Sequence, residues 1–413
     1  MNSWISFFKS NKNLILFGFL LTFFSGFGQT FLVSLFVPEI LRSFDGLTNA
    51  SFGSLYAAAT VASAFSLPWA GRFIDVTDLR KFTWMVVGGL AVAILIFSQA
   101  TSLIVLGIGL YGLRLAGQGL MSHTAITSMA RYFDHVRGKA ISITSLGHPA
   151  GSAVFPFIVA VLIQQWGWRY TLVGSAIFVA LVLPPLLGWL LRNTETNPHT
   201  FRRIEEEKKN LSEKSKNEGV PTPTYRRIMG SKAFWLIAPG AIAIPLLNTA
   251  FFFYQIPLAE AKGWSTEWVA ASFTGYAIAG ALCMLFAGEL IDRLSAARLF
   301  PFYLFPLLGA LGLVIFFDSP WITPVYLILI GVSNGFGNPI KSALQAEVFG
   351  IEYLGTIRSL FTALMVISTA IGPAAVGFLL DAGFSYEEAF SFAAVYLVLT
   401  IMWNFRILYH KPE

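Results

Sequence analysis

Apolar residues in this chain gather into runs much longer than a soluble core needs, separated by short polar breaks. The first six runs cover approximately 14–37, 51–70, 82–99, 102–130, 140–163 and 170–191. After a polar stretch come 233–258, 268–287, 298–317, 321–348, 357–380 and 387–408. A helix needs roughly 20 mostly apolar residues to cross the hydrocarbon core of a bilayer. The pattern therefore predicts an all-α membrane protein of twelve transmembrane helices, numbered 1 to 12 in chain order. The eleven tryptophans, from Trp4 to Trp403, fall at or near run ends, where an indole ring meets the headgroups. The first run is long and no small-residue cleavage site follows it, so it reads as helix 1 and not as a removable signal.

An even number of crossings puts both termini on one side, and basic residues select that side. With a cytoplasmic N-terminus, 23 of the 28 Lys and Arg residues lie inside, whereas only Arg42, Arg169 and Lys262 lie outside. Positive charge accumulates in cytoplasmic loops. The expectation is a multi-pass protein of a cell inner membrane with both termini cytoplasmic. Residues 192–232 form the one long loop, which Glu205-Glu206-Glu207-Lys208-Lys209 and Pro221-Thr222-Pro223 mark as a solvated linker. The expected domains are a six-helix half at 1–191, a cytoplasmic linker at 192–232 and a second six-helix half at 233–413.

Composition agrees with a lipid surroundings: 55% of the residues are hydrophobic and 12% are charged, the latter about half the usual soluble share. The net charge of +6 does not point to nucleic acid, because the basic residues form short clusters between apolar runs. The lone Cys283 excludes a disulfide framework and a thiol metal site. No cofactor or metal is expected. With no nucleophile–base pair or metal-ligand constellation in view, an enzyme is the reading with least support.

The chain repeats itself. Gly71 and Asp75 follow helix 2, Gly288 and Asp292 follow helix 8, and both pairs stand 217 residues apart. The same offset carries Gly138 onto Gly355 and Pro156 onto Pro373. With small slips, Gln118-Gly119 maps onto Asn334-Gly335 and Pro38 onto Pro257. Two six-helix halves related as parallel repeats are expected.

These segments resemble the major facilitator superfamily. The two Gly-x-x-x-Asp stretches are similar to its signature between helices 2–3 and 8–9. The second copy continues well as Asp292-Arg293, whereas in the first Val76 follows Asp75 and Arg80-Lys81 come later. Leu110-x-x-x-Arg114-x-x-Gly117-Gln118-Gly119 resembles the family's helix-4 motif with one residue more than usual before the glutamine. The resemblance implies a central solute cavity opened alternately to each side, lined by helices 1, 4, 7 and 10. Gly71, Asp75, Gly288, Asp292 and Arg293 are the expected gating residues. Their glycines allow close helix approach, and their carboxylates can meet a helix N-terminus or a loop arginine.

Aligning the repeats pairs Gln29 with Asn248 and Gln118 with Asn334, so each of the four lining helices carries an amide at matching depth. The expected substrate-binding set is Gln29, Arg114, Gln118, Ser122, Asn248, Gln255, Asn334, Asn338 and Lys341. Amides that only glue helices together are the competing reading. Arg114 and Lys341 are cations within apolar runs, while Glu39, Glu260, Glu289 and Glu347 sit near run ends. An electropositive cavity suits an anionic solute. Arg114 could instead be held by backbone carbonyls, and Lys341 could snorkel to the surface. His123 and His148 are candidates for proton coupling, since imidazole titrates nearest neutrality.

Arg131-Tyr132-Phe133, Arg137-Gly138-Lys139-Ala140, Pro156 and Gly167-Trp168-Arg169 resemble the monocarboxylate and oxalate/formate branch of the family. That branch places an arginine in helix 8, which is absent here, so Arg114 and Lys341 would have to replace it. The nitrate branch fits worse, since helix 2 also lacks an arginine. The expected function is secondary active transport of a small organic anion, a carboxylate, coupled to protons or to exchange. Drug or metabolite efflux by proton antiport is the alternative. It suits the 39 phenylalanines but lacks a buried acid. The antiporter pattern of helix 5 is not met by Gly147-His148-Pro149-Ala150-Gly151, although Gly372-Pro373 occurs in helix 11. A transporter-like solute sensor is a third reading. The expected partners are the solute, protons as coupling ion and the lipid bilayer, with the protein working as a monomer.

Overall fold

A computed structural model describes residues 2–133, 137–194, 196, 225–349 and 354–409. Most of the expected linker, residues 197–224, lies outside the described residues. Among those described, every regular element is helical. Among the described residues, eight helices are long and apolar enough to cross a membrane, and the bent pair Asn11–Gly28 and Thr30–Ser43 adds a crossing as helix 1. The stretch Ala140–Leu190 carries two crossings, helices 5 and 6, because Gly167 breaks it at φ 75°. A residue with a Cβ adopts that left-handed value only under strain, so glycine sets the corner.

The remaining helices are 2 (Asn49–Gly71), 3 (Leu79–Ser98), 4 (Leu103–Tyr132), 7 (Lys232–Ala261) and 8 (Thr266–Leu294). Helix 9 is Ala296–Leu299 with Phe305–Phe316, helix 10 is Ile322–Phe349, helix 11 is Leu354–Asp381 and helix 12 is Tyr386–Asn404. This is the twelve-helix architecture the apolar pattern predicts. Short side chains start the helices by accepting their first free N–H groups. Asp78, Ser102, Ser231 and Ser265 do so for helices 3, 4, 7 and 8, and Ser385 forms a full capping box with Glu388.

The chain groups into two units, Met1–Val33 with Ala62–Pro221, and Ser34–Val61 with Thr222–Glu413. In the first, helix 1 packs on helix 5 and helix 3 packs on helices 4 and 6. In the second, helix 7 packs on helix 11, helix 8 on helix 10, and helix 9 on helices 10 and 12. Backbone meets backbone at small residues, as expected where lipid supplies no hydrophobic force between helices. A Cβ on Gly147 would stand 2.2 Å from the Phe19 carbonyl, and one on Gly372 would stand 2.3 Å from that of Leu246. Gly331 and Gly335 of helix 10 face Tyr276 and Gly280 of helix 8 in the same way.

Candidate functional site

In the first unit, helix 1 is interrupted where it crosses helix 4. Gln29 has extended backbone (ψ 151°) between the turn Ser25–Gly28 and the restart at Thr30. Opposite it, Leu113–Met121 of helix 4 is wound as a π-helix. The two meet through glycines: a Cβ on Gly28 would lie 2.2 Å from the Leu113 carbonyl, and one on Gly117 would lie 2.8 Å from the Gly28 Cα. The Gly28 carbonyl at the interruption accepts a hydrogen bond from Arg114 Nη1 at 3.0 Å, and Arg114 is only 2% exposed. Gln29, Gln118 and Ser122 are half-buried on the same two helices.

The histidines differ in position. His123 lies against Gly71, where a Cβ would come within 3.0 Å of its Nε2, which places it at the expected gate. His148 stands edge-on to Phe31 with ring centroids 5.9 Å apart. Its neighbours Gly147 and Gly151 serve close contact with helix 1. Asp75 forms an ion pair with Arg131 from the end of helix 4, and Arg131 also reaches the Ile74 carbonyl.

In the second unit Lys341 is buried, at 4% exposure, and its ammonium has no hydrogen-bond partner among the described residues. Asn248 is buried with its amide oxygen unpartnered among the described residues, Asn334 donates to the Ile330 carbonyl at 3.3 Å, and Asn338 is exposed. Gln255 is fully buried with its amide against the Tyr326 hydroxyl. Counting from the Ala261 and Ile322 ends of helices 7 and 10 at 1.5 Å per residue puts Gln255 about 20 Å from Lys341 along the bundle. Asn248, Asn334, Asn338 and Lys341 fall within about 10 Å of one another on the same scale. Gln255 and Lys341 thus stand at opposite ends of this polar row. Thr323 and Tyr326, polar and fully buried next to Gln255, went unnoticed in the sequence because each looked like an ordinary helix-10 residue.

The second Gly-x-x-x-Asp copy is built differently from the first. Asp292 is exposed, and Arg293 pairs with Glu289 one turn back on its own helix. A Cβ on Gly288 would meet nothing within 4 Å. The carboxylate of Glu347 on helix 10 accepts instead from the N–H groups of Ala296 and Ala297, at 2.8 and 3.0 Å. Glu347 is the repeat counterpart of Arg131 at the offset that pairs Gln118 with Asn334.

The family model described as "Major Facilitator Superfamily" matches residues 18–340 and 269–413. The chain is 30% identical over 178 residues to the gallate transporter of Pseudomonas putida, covering 42% of this chain and 38% of that protein. It is 22% identical to the cis,cis-muconate transport protein of Acinetobacter baylyi, over 65% of this chain and 63% of that one. It is 26% identical to the aspyridones efflux protein of Emericella nidulans, over 67% and 53%. In each case the match spans less than two thirds of the relative's own length. Among solved structures, a bacterial homologue of the human lysosomal transporter Spinster matches with TM-score 0.69 at 14% identity, covering 96% of both chains. The nucleoside transporter NupG matches with TM-score 0.70 at 13% identity, covering 97% of this chain and 99% of that one.

Proposed function

This chain belongs to the major facilitator superfamily, and from that premise we propose that it carries a small organic anion, an unsaturated or aromatic carboxylate, across a cell inner membrane. The buried Lys341 ammonium, without a protein partner among the described residues, carries this reading. A charge in an apolar helix interior is costly unless a counter-ion compensates it. A solute carboxylate supplies that counter-ion and takes hydrogen bonds from Lys341. The amides of Asn248, Asn334 and Asn338, within reach of the same small molecule, hold its remaining polar groups. In the first unit Arg114 braces the helix 1 interruption through the Gly28 carbonyl. Gallate and cis,cis-muconate, the solutes named for two relatives, are both unsaturated carboxylates, which favours the same class here.

Both termini face the cytoplasm in this reading, as the placement of lysine and arginine supports. His148, beside Phe31 and away from the gate, is the proposed proton carrier. Counterflow of labelled gallate and muconate in proteoliposomes, with and without a proton gradient, tests the proposal. Lys341→Ala is expected to lower the flux by about tenfold or more, the effect of losing a charge-assisted hydrogen bond. An unchanged flux would sink the anion reading. Efflux is the second reading, favoured by the match to the aspyridones efflux protein. Resistance of an overexpressing strain to neutral and cationic toxins, without carboxylate counterflow, is the outcome that would select it.

A further inference from the structure

The boundary between the two units runs through helices 1 and 2, between Val33 and Ser34 and again between Val61 and Ala62. Residues 34–61 thus pack with helices of the second repeat although they belong to the first in sequence. Specific contacts hold them there. The carboxylate of Asp381, the last residue of helix 11, accepts from the N–H groups of Asn49 and Ala50 at 3.2 and 2.8 Å. These are the first two residues of helix 2, whose next free N–H, that of Ser51, goes to Thr48 Oγ1. A carboxylate from a distant helix therefore completes this N-terminus through hydrogen bonds and the helix dipole. The buried hydroxyl of Tyr254 on helix 7 stands 3.1 Å from the Asn49 carbonyl and 3.0 Å from that of Pro373. Two glycines let the backbones close: a Cβ on Gly53 would lie 2.8 Å from the Pro373 carbonyl, and one on Gly377 would lie 2.7 Å from that of Asn49. Arg42 of helix 1 bridges Glu39 on its own helix and Glu260 on helix 7, at 2.9 and 2.7 Å.

We propose that these groups form a latch closing the outer mouth of the solute path, with Asp381 as its positioning residue. Outward opening begins when the Asp381 carboxylate leaves Asn49 and Ala50, and helix 2 then lifts off Gly377 and Pro373. The chemistry suits a contact that must break in every cycle. Once released, the carboxylate and the two N–H groups rehydrate, so the closed state is favoured only modestly. Arg42 keeps Glu39 as it lets go of Glu260, so the guanidinium never loses both partners. The proposal rests on the transporter reading and on the orientation given with it.

The latch can be measured without any solute, so failure to find an anion flux would leave it standing. In a Cys283→Ala background, the buried Ala50 is replaced by cysteine and labelled from outside whole cells with a membrane-impermeant maleimide. Asp381→Ala is expected to raise the labelling rate at position 50 by about tenfold, as loss of a capping carboxylate from a helix N-terminus would. Gly377→Val, which wedges the same contact apart, is expected to act in the same direction. Ala270→Cys, fully buried within helix 8, reports unfolding, and the exposed Ser319→Cys reports orientation. An unchanged rate at position 50 in both variants overturns the latch. So does labelling at position 270 that rises in step, since Asp381 would then brace the whole unit. Absence of outside labelling at position 319 would overturn it as well.

Discussion

Arg114 and Lys341 are both cations in apolar helices, yet their surroundings give them different work. Arg114 spends a donor on the carbonyl freed where helix 1 breaks, whereas Lys341 has no partner among the described residues. From charge and depth in the sequence, each cation fits either the solute side or a structural place, Arg114 on backbone carbonyls and Lys341 snorkelling to the surface. Which carbonyl lies within 3.0 Å of a guanidinium is decided by the Gly28–Gly117 crossing. That crossing leaves no room for a methyl group. Gly28→Ala forces backbone apart on two helices and should destabilise the protein by about 1–3 kcal/mol. Gly88→Ala, with nothing within 4 Å, should be neutral in the same thermal unfolding series in detergent. Similar losses for the two would show that the crossing is not tight in solution.

At the scale of elements, helix 4 explains an oddity of its own sequence. The motif Leu110 to Gly119 carries one residue more than its family pattern, and the helix widens to a π-helix over Leu113–Met121. One extra residue can be absorbed in that way without ending the helix. The two Gly-x-x-x-Asp segments show how repeats diverge. Asp78 caps helix 3 from its own first turn, while its repeat counterpart Ser295 cannot, and Glu347 reaches over from helix 10 to serve helix 9. The Gly-x-x-x-Asp spacing is legible in both copies, but the partner of each carboxylate is not. Asp75→Asn removes an ion pair with Arg131 and is expected to slow counterflow by about tenfold. Asp292→Asn, on an exposed carboxylate, should have a much smaller effect, with both variants inserted at wild-type levels. Equal losses would place the function in the charge itself and not in the pairing.

At the scale of the molecule, the second unit is tied together at the loop ends of its helices. The Lys262 ammonium, with its side chain only 3% exposed, bridges Asp318 and Glu387 and so joins the ends of helices 7 and 9 to the first turn of helix 12, and Trp264 Nε1 donates to the Asp318 carbonyl at 2.6 Å. Burial pulls the ammonium down, but its hydrogen bonds to Asp318 and Glu387 outweigh that and hold it above the ordinary lysine value of 10.5. A group raised in this way stabilises the fold while protonated. Its contribution is complete below 10.5 and fades as pH rises through the raised value. Lys262→Met should therefore lower the unfolding temperature by the same amount from neutral to mildly alkaline pH. The gap should close only above the ordinary lysine range, which a pH series of thermal scans would read directly. A gap that vanished near neutrality would mean the clamp is not ionic.

The sequence alone determined the helices, the two-fold repeat and the family. Each follows from local composition: a lipid-crossing segment must be long and apolar whatever its neighbours, and a duplicated unit keeps its turn residues at one offset. Tertiary structure decided which polar groups meet. Asp381 caps a helix that begins 332 residues earlier, Tyr254 joins Asn49 to Pro373, and Gln255 lies about 20 Å from the lysine it was grouped with. Contacts of that kind depend on where whole helices cross, and crossing points are set by glycine surfaces and helix breaks acting together. No window along the chain contains both partners.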